Sequence, residues 1–204
     1  MSSRFIRNPP HPVDYWRGIV LFGRNVATYK FALARALLDL KPESGQLVTL
    51  EELASPVARH LCDHLRIADK QGTFKQSRFL DACRRANAGE ITQQVLTEET
   101  VRLGFSNVID AFHVVGRDEI EQRFFVDERG RSAGIRVTDA LSGLIRGEQA
   151  DNLPGEAESR WRLVETAWEM GVSRAVVTVS HDPASEELFV VDSARRRKPV
   201  TGVR

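Results

Sequence analysis

The stretch VATYKFALARALLDL, Val26 to Leu40, limits the folds open to this chain more than any other. With successive side chains about 100° apart on a helix, Thr28, Ala32, Arg35 and Asp39 form a narrow, wetter face. Val26, Ala27, Phe31, Leu33, Ala34, Leu37 and Leu38 fill the rest. A helix apolar over so much of its circumference has to be packed on several sides, like the central helix of a bundle. Lys30 falls at the centre of the apolar arc. An ammonium there costs free energy unless it is partnered, by a structural Asp or Glu or by the phosphate or carboxylate of a ligand.

The flanking residues fit a helical body. Asn25 is a good N-cap for this helix and Lys41-Pro42 closes it. Before it, Pro9, Pro10 and Pro12 keep the first residues extended, Asp14 caps a short helix through Trp16, Ile19, Val20 and Phe22, and Gly23 ends that helix. Thr49 and Glu52 are spaced as a capping box for a helix whose inner side is Leu53, Val57, His60, Leu61, His64 and Leu65, with Pro56 as a kink or a delayed start. Further helices are expected over Ser77 to Asn87, over Glu90 to Leu103 and from Ser106 through Ile109, Phe112 and Val115.

The pattern changes after Gly116. RFFVDERGRSAGIRVT reads as two strands joined by a turn at Glu128 to Ser132, and Thr138 or Asp139 starts a short helix to about Arg146. After the polar loop EQADNLPGEAE, Ala157, Trp161, Val164 and Trp168 recur at helical spacing until Gly171. AVVTVS and LFVVD then make a final hairpin. The expected class is α+β, predominantly helical: a multi-helix body of about six to eight helices with two small β-hairpins in the C-terminal half. Residues 1–14 read as an extended arm, 15–192 as a single domain and 193–204 as a basic tail or linker.

Composition narrows the function classes. Twenty-nine Lys and Arg against 28 Asp and Glu leave a formal charge of +1, so any attraction to nucleic acid has to be local. Cys62 and Cys83 stand apart, with no second pair to complete a zinc site, and reduced thiols in a cytoplasmic setting are expected. No signal peptide is legible, and no run approaches the roughly 18 to 20 apolar residues of a membrane span, so no membrane partner is expected.

Several residues invite a chemical role, each against a plainer alternative. Arg24 sits beside Gly23 at a junction where helix N-terminal amides can hold an anion, or it is a solvated turn arginine. Arg4, Arg7, Arg17, Arg24, Lys30, Arg35 and Lys41 face only Asp14 and Asp39, which favours a basic N-terminal surface. His60 and His64 share a helix face as zinc ligands do, but Cys62 points away and no third ligand is evident, so polar edges of a core helix explain them better. Asp110 and His113 are close enough along a helix to hydrogen-bond, either as a catalytic pair or as a surface ion pair. The run Arg195-Arg196-Arg197-Lys198 can neutralise several phosphates without reading bases, or simply solubilise a tail.

YWRGIVLFGRNVATYKFALARALLDL resembles the opening of bacterial proteins of the HNH endonuclease family, and GFSNVIDAFHVV, RFFVDERG, VTDAL and NLPGEAESRWRLVETAW are similar in the same way. The resemblance spans Tyr15 to about Asp192 and rests on framework motifs. It implies that a nuclease module would follow, a ββα-metal fold with Cys-x-x-Cys zinc pairs and a His-Asn-His set, working with a divalent metal ion. This chain ends at Arg204 with neither set present, so no catalytic residue carries over and no cofactor or metal is expected in this part. The implied function is a non-catalytic N-terminal domain, inactive alone, that supports DNA binding or positions the nuclease. Its expected contacts are Arg17, Arg24, Lys30, Arg195, Arg196, Arg197 and Lys198. The alternative is a protein-interaction or homo-oligomerisation module with no nucleic-acid contact.

Overall fold

The computed structural model describes residues 11–22, 26–74, 76–115, 118–171, 178–182, 187–191 and 197–199; for the last three segments it describes backbone only. Nine α-helices are found among these residues: α1 Pro12–Arg17, α2 Tyr29–Leu40, α3 Leu50–Leu65, α4 Arg78–Asn87, α5 Gln93–Leu103, α6 Ser106–Ala111, α7 Arg129–Ser132, α8 Asp139–Arg146 and α9 Leu153–Glu169. A π-helical turn, Gly18–Phe22, follows α1, and a 3-10 turn, Ala150–Asn152, precedes α9. The count exceeds the expected one because the turn Glu128 to Ser132 winds into α7.

Eight short strands are found among the described residues: β1 Leu47–Thr49, β2 Val114–Val115, β3 Asp118–Glu119, β4 Phe125–Asp127, β5 Gly134–Val137, β6 Thr178–Asp182, β7 Glu187–Val191 and β8 Arg197–Pro199. Both expected hairpins are present, and each gains a third antiparallel strand, giving sheets of order β1-β5-β4 and β6-β7-β8 beside the small β2-β3 ladder. Val48 sits opposite Ile135, and Val126 opposite Arg136. The chain is thus α+β and mainly helical.

Central packing of α2 is as its sequence demands. Phe31, Ala32, Leu33, Ala34, Ala36 and Leu37 are wholly buried, and α3, α6, α9 and the π-helical turn surround them. The narrow wetter face is only half real: Thr28 and Ala32 are buried, leaving Arg35 and Asp39 nearer the surface. The helix starts at Tyr29 with Thr28 as N-cap, later than Asn25, because Thr28 is tied to Gln71 through its N–H (3.1 Å) and hydroxyl (2.7 Å).

Other boundaries follow their caps. Thr49 accepts from the Glu52 N–H at 3.2 Å and Glu52 accepts from the Thr49 N–H at 2.7 Å, closing the capping box of α3. Pro56 lies inside α3, which runs through it from Leu50, so the proline does not delay the start. Pro12 is not in an extended arm: it occupies the first position of α1, where a missing N–H costs nothing. Similarly α9 begins at Leu153 with Pro154 in its first turn, inside the segment expected as loop. Helix α6 stops at Ala111, so Val114 and Val115 are strand and not helix. Residues Arg197–Pro199 of the expected tail form β8, paired to β7.

Aromatic rings join the pieces. Trp16 lies edge-on to Phe124 at 5.2 Å and tilted to Phe112 at 5.8 Å, which fixes α1 against the region after α6. Phe31 stacks with Trp161 at 5.8 Å, joining α2 to α9. Among the described residues no helix is long and apolar enough to cross a membrane.

Candidate functional site

Lys30 stands on the first turn of α2, whose start is anchored by Thr28–Gln71 and by the Tyr29 hydroxyl, 2.7 Å from Ser77 Oγ. The lysine is 6% exposed. Its Nζ donates to the Val114 carbonyl of β2 at 3.1 Å, and among the described residues it has no carboxylate partner. The expectation of a structural Asp or Glu is therefore corrected: a backbone carbonyl takes that place. Burial lowers the Lys30 pKa to about 8. It also raises that of the Tyr29 phenol to about 12. Lys30, Val26, Tyr29, Phe74, Val108 and Ala111 line a cleft of about 350 Å³ between the start of α2 and α6, to which Asn107 adds a carboxamide.

A second cavity, about 490 Å³, lies nearby and includes Asp110, His113, Glu119, Arg123 and Asp127. The sequence pairing of Asp110 with His113 does not form. Asp110 is held by Arg129, which also binds Asp127 at 2.7 Å, while His113 is buried and its Nε2 accepts the Phe124 N–H at 3.0 Å. Burial lowers the His113 pKa to about 4, and the charges of Arg123 and Lys30 push it the same way. An imidazole that is neutral, with its basic nitrogen already occupied, is poorly suited to general-base work.

His60, Cys62 and His64 likewise go to separate partners. His60 Nε2 is 2.7 Å from Asp39 Oδ2, and the Cys62 thiol points to the Cys83 carbonyl at 3.6 Å. His64 lies between two carboxylates, with Nδ1 2.7 Å from Glu165 and Nε2 3.1 Å from Glu158. Its ring stacks on Trp161 at 3.5 Å. Arg162 closes the cluster, reaching Glu158 at 2.9 Å and Glu165 at 3.2 Å, and Gln71 donates to Glu165 while accepting from Trp161 Nε1 at 3.0 Å. Burial opposes the charge on His64, yet the two glutamates outweigh it and raise its pKa. Burial also opposes ionisation of Glu158, but His64, Arg162 and Arg35 hold its pKa at about 2.

Sequence reasoning missed this cluster. The spacings Glu158–Arg162 and Arg162–Glu165 were legible as helix pairs, but nothing local tells that they are buried against His64. Among the described residues no three His, Cys, Asp or Glu side chains converge to hold a metal ion.

The expected nucleic-acid contacts separate into three groups. Arg17 grips Glu156 through two nitrogens at 2.6 and 2.9 Å, linking α1 to α9. Lys30, 6% exposed at the wall of the cleft, is not part of an open basic surface. Arg24, Arg195 and Arg196 lie outside the described residues, while Arg197 and Lys198 are described only as backbone of β8. The basic N-terminal surface is also reduced by tertiary contacts, because Arg17 and Arg35 both meet glutamates of α9. Comparison with protein-family models, with curated proteins and with solved structures finds no match to this chain.

Proposed function

We propose that this chain is a non-catalytic domain of the kind that precedes an HNH nuclease module, supporting DNA binding or positioning that module. The helical body acts as scaffold, and the run Arg195 to Lys198 supplies the phosphate contacts. The observation that carries this reading is a segregation of charge. From Ser193 to Arg204 the sequence has five cations and no acid, and β8 fastens the middle of that run to β7 by backbone hydrogen bonds. In the body, by contrast, arginines such as Arg17, Arg59, Arg84, Arg129, Arg136 and Arg162 are engaged by carboxylates. Charges already paired gain little from phosphate, whereas a run with no acid in its own sequence releases counterions on binding.

Duplex DNA binding measured across a salt series tests this. The full chain is expected to bind at low salt with an affinity that falls as salt rises. Replacing Arg195, Arg196, Arg197 and Lys198 by Ala is expected to flatten the log–log slope by up to about 3 to 4, near 0.9 for each phosphate left unneutralised. Arg17→Ala is expected to leave the slope unchanged. No binding at low salt, or an unchanged slope in the fourfold variant, would overturn the proposal.

A further inference from the structure

The start of α2 carries a feature that phosphate-backbone binding does not use. The Lys30 cleft, at about 350 Å³, falls at the lower end of the size range of small-molecule sites. Tyr29, Val108 and Ala111 contribute to a mainly apolar lining, and Val26 and Phe74, 47% and 39% exposed, leave apolar surface bare beside it. Of the three Lys30 N–H donors, one has a partner among the described residues, the Val114 carbonyl. A carbonyl offers only a partial charge, so a buried ammonium with that partner alone lacks a counter-ion.

Among the described side chains, the neighbouring groups do not supply one. His113 is uncharged at neutral pH and the Tyr29 phenol keeps its proton, while Arg123 adds positive charge balanced by its own partner Glu119. What the described side chains leave unsupplied is one negative charge. A single cation beside apolar walls suits a monoanion with a hydrocarbon body. A phosphate would need more donors than the lining provides.

We propose that the cleft between the start of α2 and α6 is a binding site for a small apolar carboxylic acid, its carboxylate paired with Lys30 Nζ and its hydrocarbon part covering Val26, Phe74 and Val108. The occupant fills the bare apolar surface and neutralises the buried charge in one step. Neither an uncharged apolar molecule nor a hydrophilic anion does both.

The probe is 3-phenylpropionate, titrated into the full chain by calorimetry and by NMR, beside 3-phenyl-1-propanol and inorganic phosphate. Saturable one-to-one binding of the acid is expected, with the alcohol and phosphate each at least about tenfold weaker. Lys30→Met is expected to lose at least about tenfold in affinity for the acid and to bind acid and alcohol alike. Ala111→Trp, at an exposed position that leaves the ammonium untouched, is expected to block binding by filling the cleft. Circular dichroism of each variant establishes that it is folded, and the Ala111 variant carries the test if the Lys30 variant is not. Equal binding of acid and alcohol to the unmodified chain, phosphate binding as tight as the acid, unaltered affinity in the folded Lys30 variant, or no saturable binding would each overturn the proposal.

Discussion

At the scale of single residues, two buried cations pull stability in opposite directions with pH. His64 has a raised pKa, so its contribution is complete below the ordinary histidine value of 6.5 and is lost as pH climbs through the folded value. Lys30 has a lowered pKa, so it costs stability while protonated and the cost is relieved between about 8 and 10.5. Urea-unfolding midpoints across pH are therefore expected to fall through the His64 titration and recover on the alkaline side. His64→Gln should remove the fall and Lys30→Met the recovery, the latter also raising stability at pH 7 by up to ~3 kcal/mol. On the acid side, stability supplied by Glu158 should disappear as pH drops from about 4.5 to about 2. Glu165→Ala strands His64, Arg162 and Gln71 together in a buried setting, and a loss of about 3 to 5 kcal/mol is expected in denaturant titration.

At the scale of elements, caps were legible and pairings were not. Thr49 and Ser77 each accept an N–H at the helix start that their sequence position suggested, because a cap needs only residues three apart, whereas α5 is capped by Thr92, two residues after the expected start at Glu90. Strand β1 has no such local signature. Its three residues become a strand only because β5 lies alongside, and the fit is close: a Cβ at Gly134 would stand 2.4 Å from the Val48 carbonyl oxygen and 3.0 Å from Thr49 Cα. Both obstacles are backbone, so Gly134→Ala has to push β1 away. A loss of about 1 to 3 kcal/mol is expected, with faster amide exchange at Thr49 and Arg136 than at buried helical sites such as Leu33. Thr49→Ala, by comparison, should cost about 1 kcal/mol by removing one cap. Measured side by side in denaturant, the two variants separate a packing constraint from a helix-end bond.

At the scale of the whole molecule, the charge balance is nearly even, and among the described residues most ion pairs sit at the surface. Arg66–Asp63, Arg85–Glu90 and Arg84–Asp81 all have well-exposed side chains, where screening and side-chain entropy leave little net gain. The buried pairs around His64 are shielded from salt. Raising sodium chloride from about 0.05 to about 0.5 M is therefore expected to move the melting temperature by no more than about 4 °C. A larger fall would mean that surface pairs carry the fold.

Periodicity and capping, each written within a few consecutive residues, were enough to make α2 central, to mark where some helices, such as α3, α4 and α8, begin and to interrupt a helical body with two hairpins. What the charged side chains meet came from packing alone. Counting charges from Arg4 to Lys41 pointed to a basic surface, yet Arg17 and Arg35 find Glu156 and Glu158 more than a hundred residues later. The position of Lys30 in an apolar arc was legible, whereas its partner, a strand carbonyl 84 residues away, was not. Hydrophobic periodicity and capping are local properties of the chain, but a counter-ion is chosen by proximity in space, and proximity is set by how the helices pack.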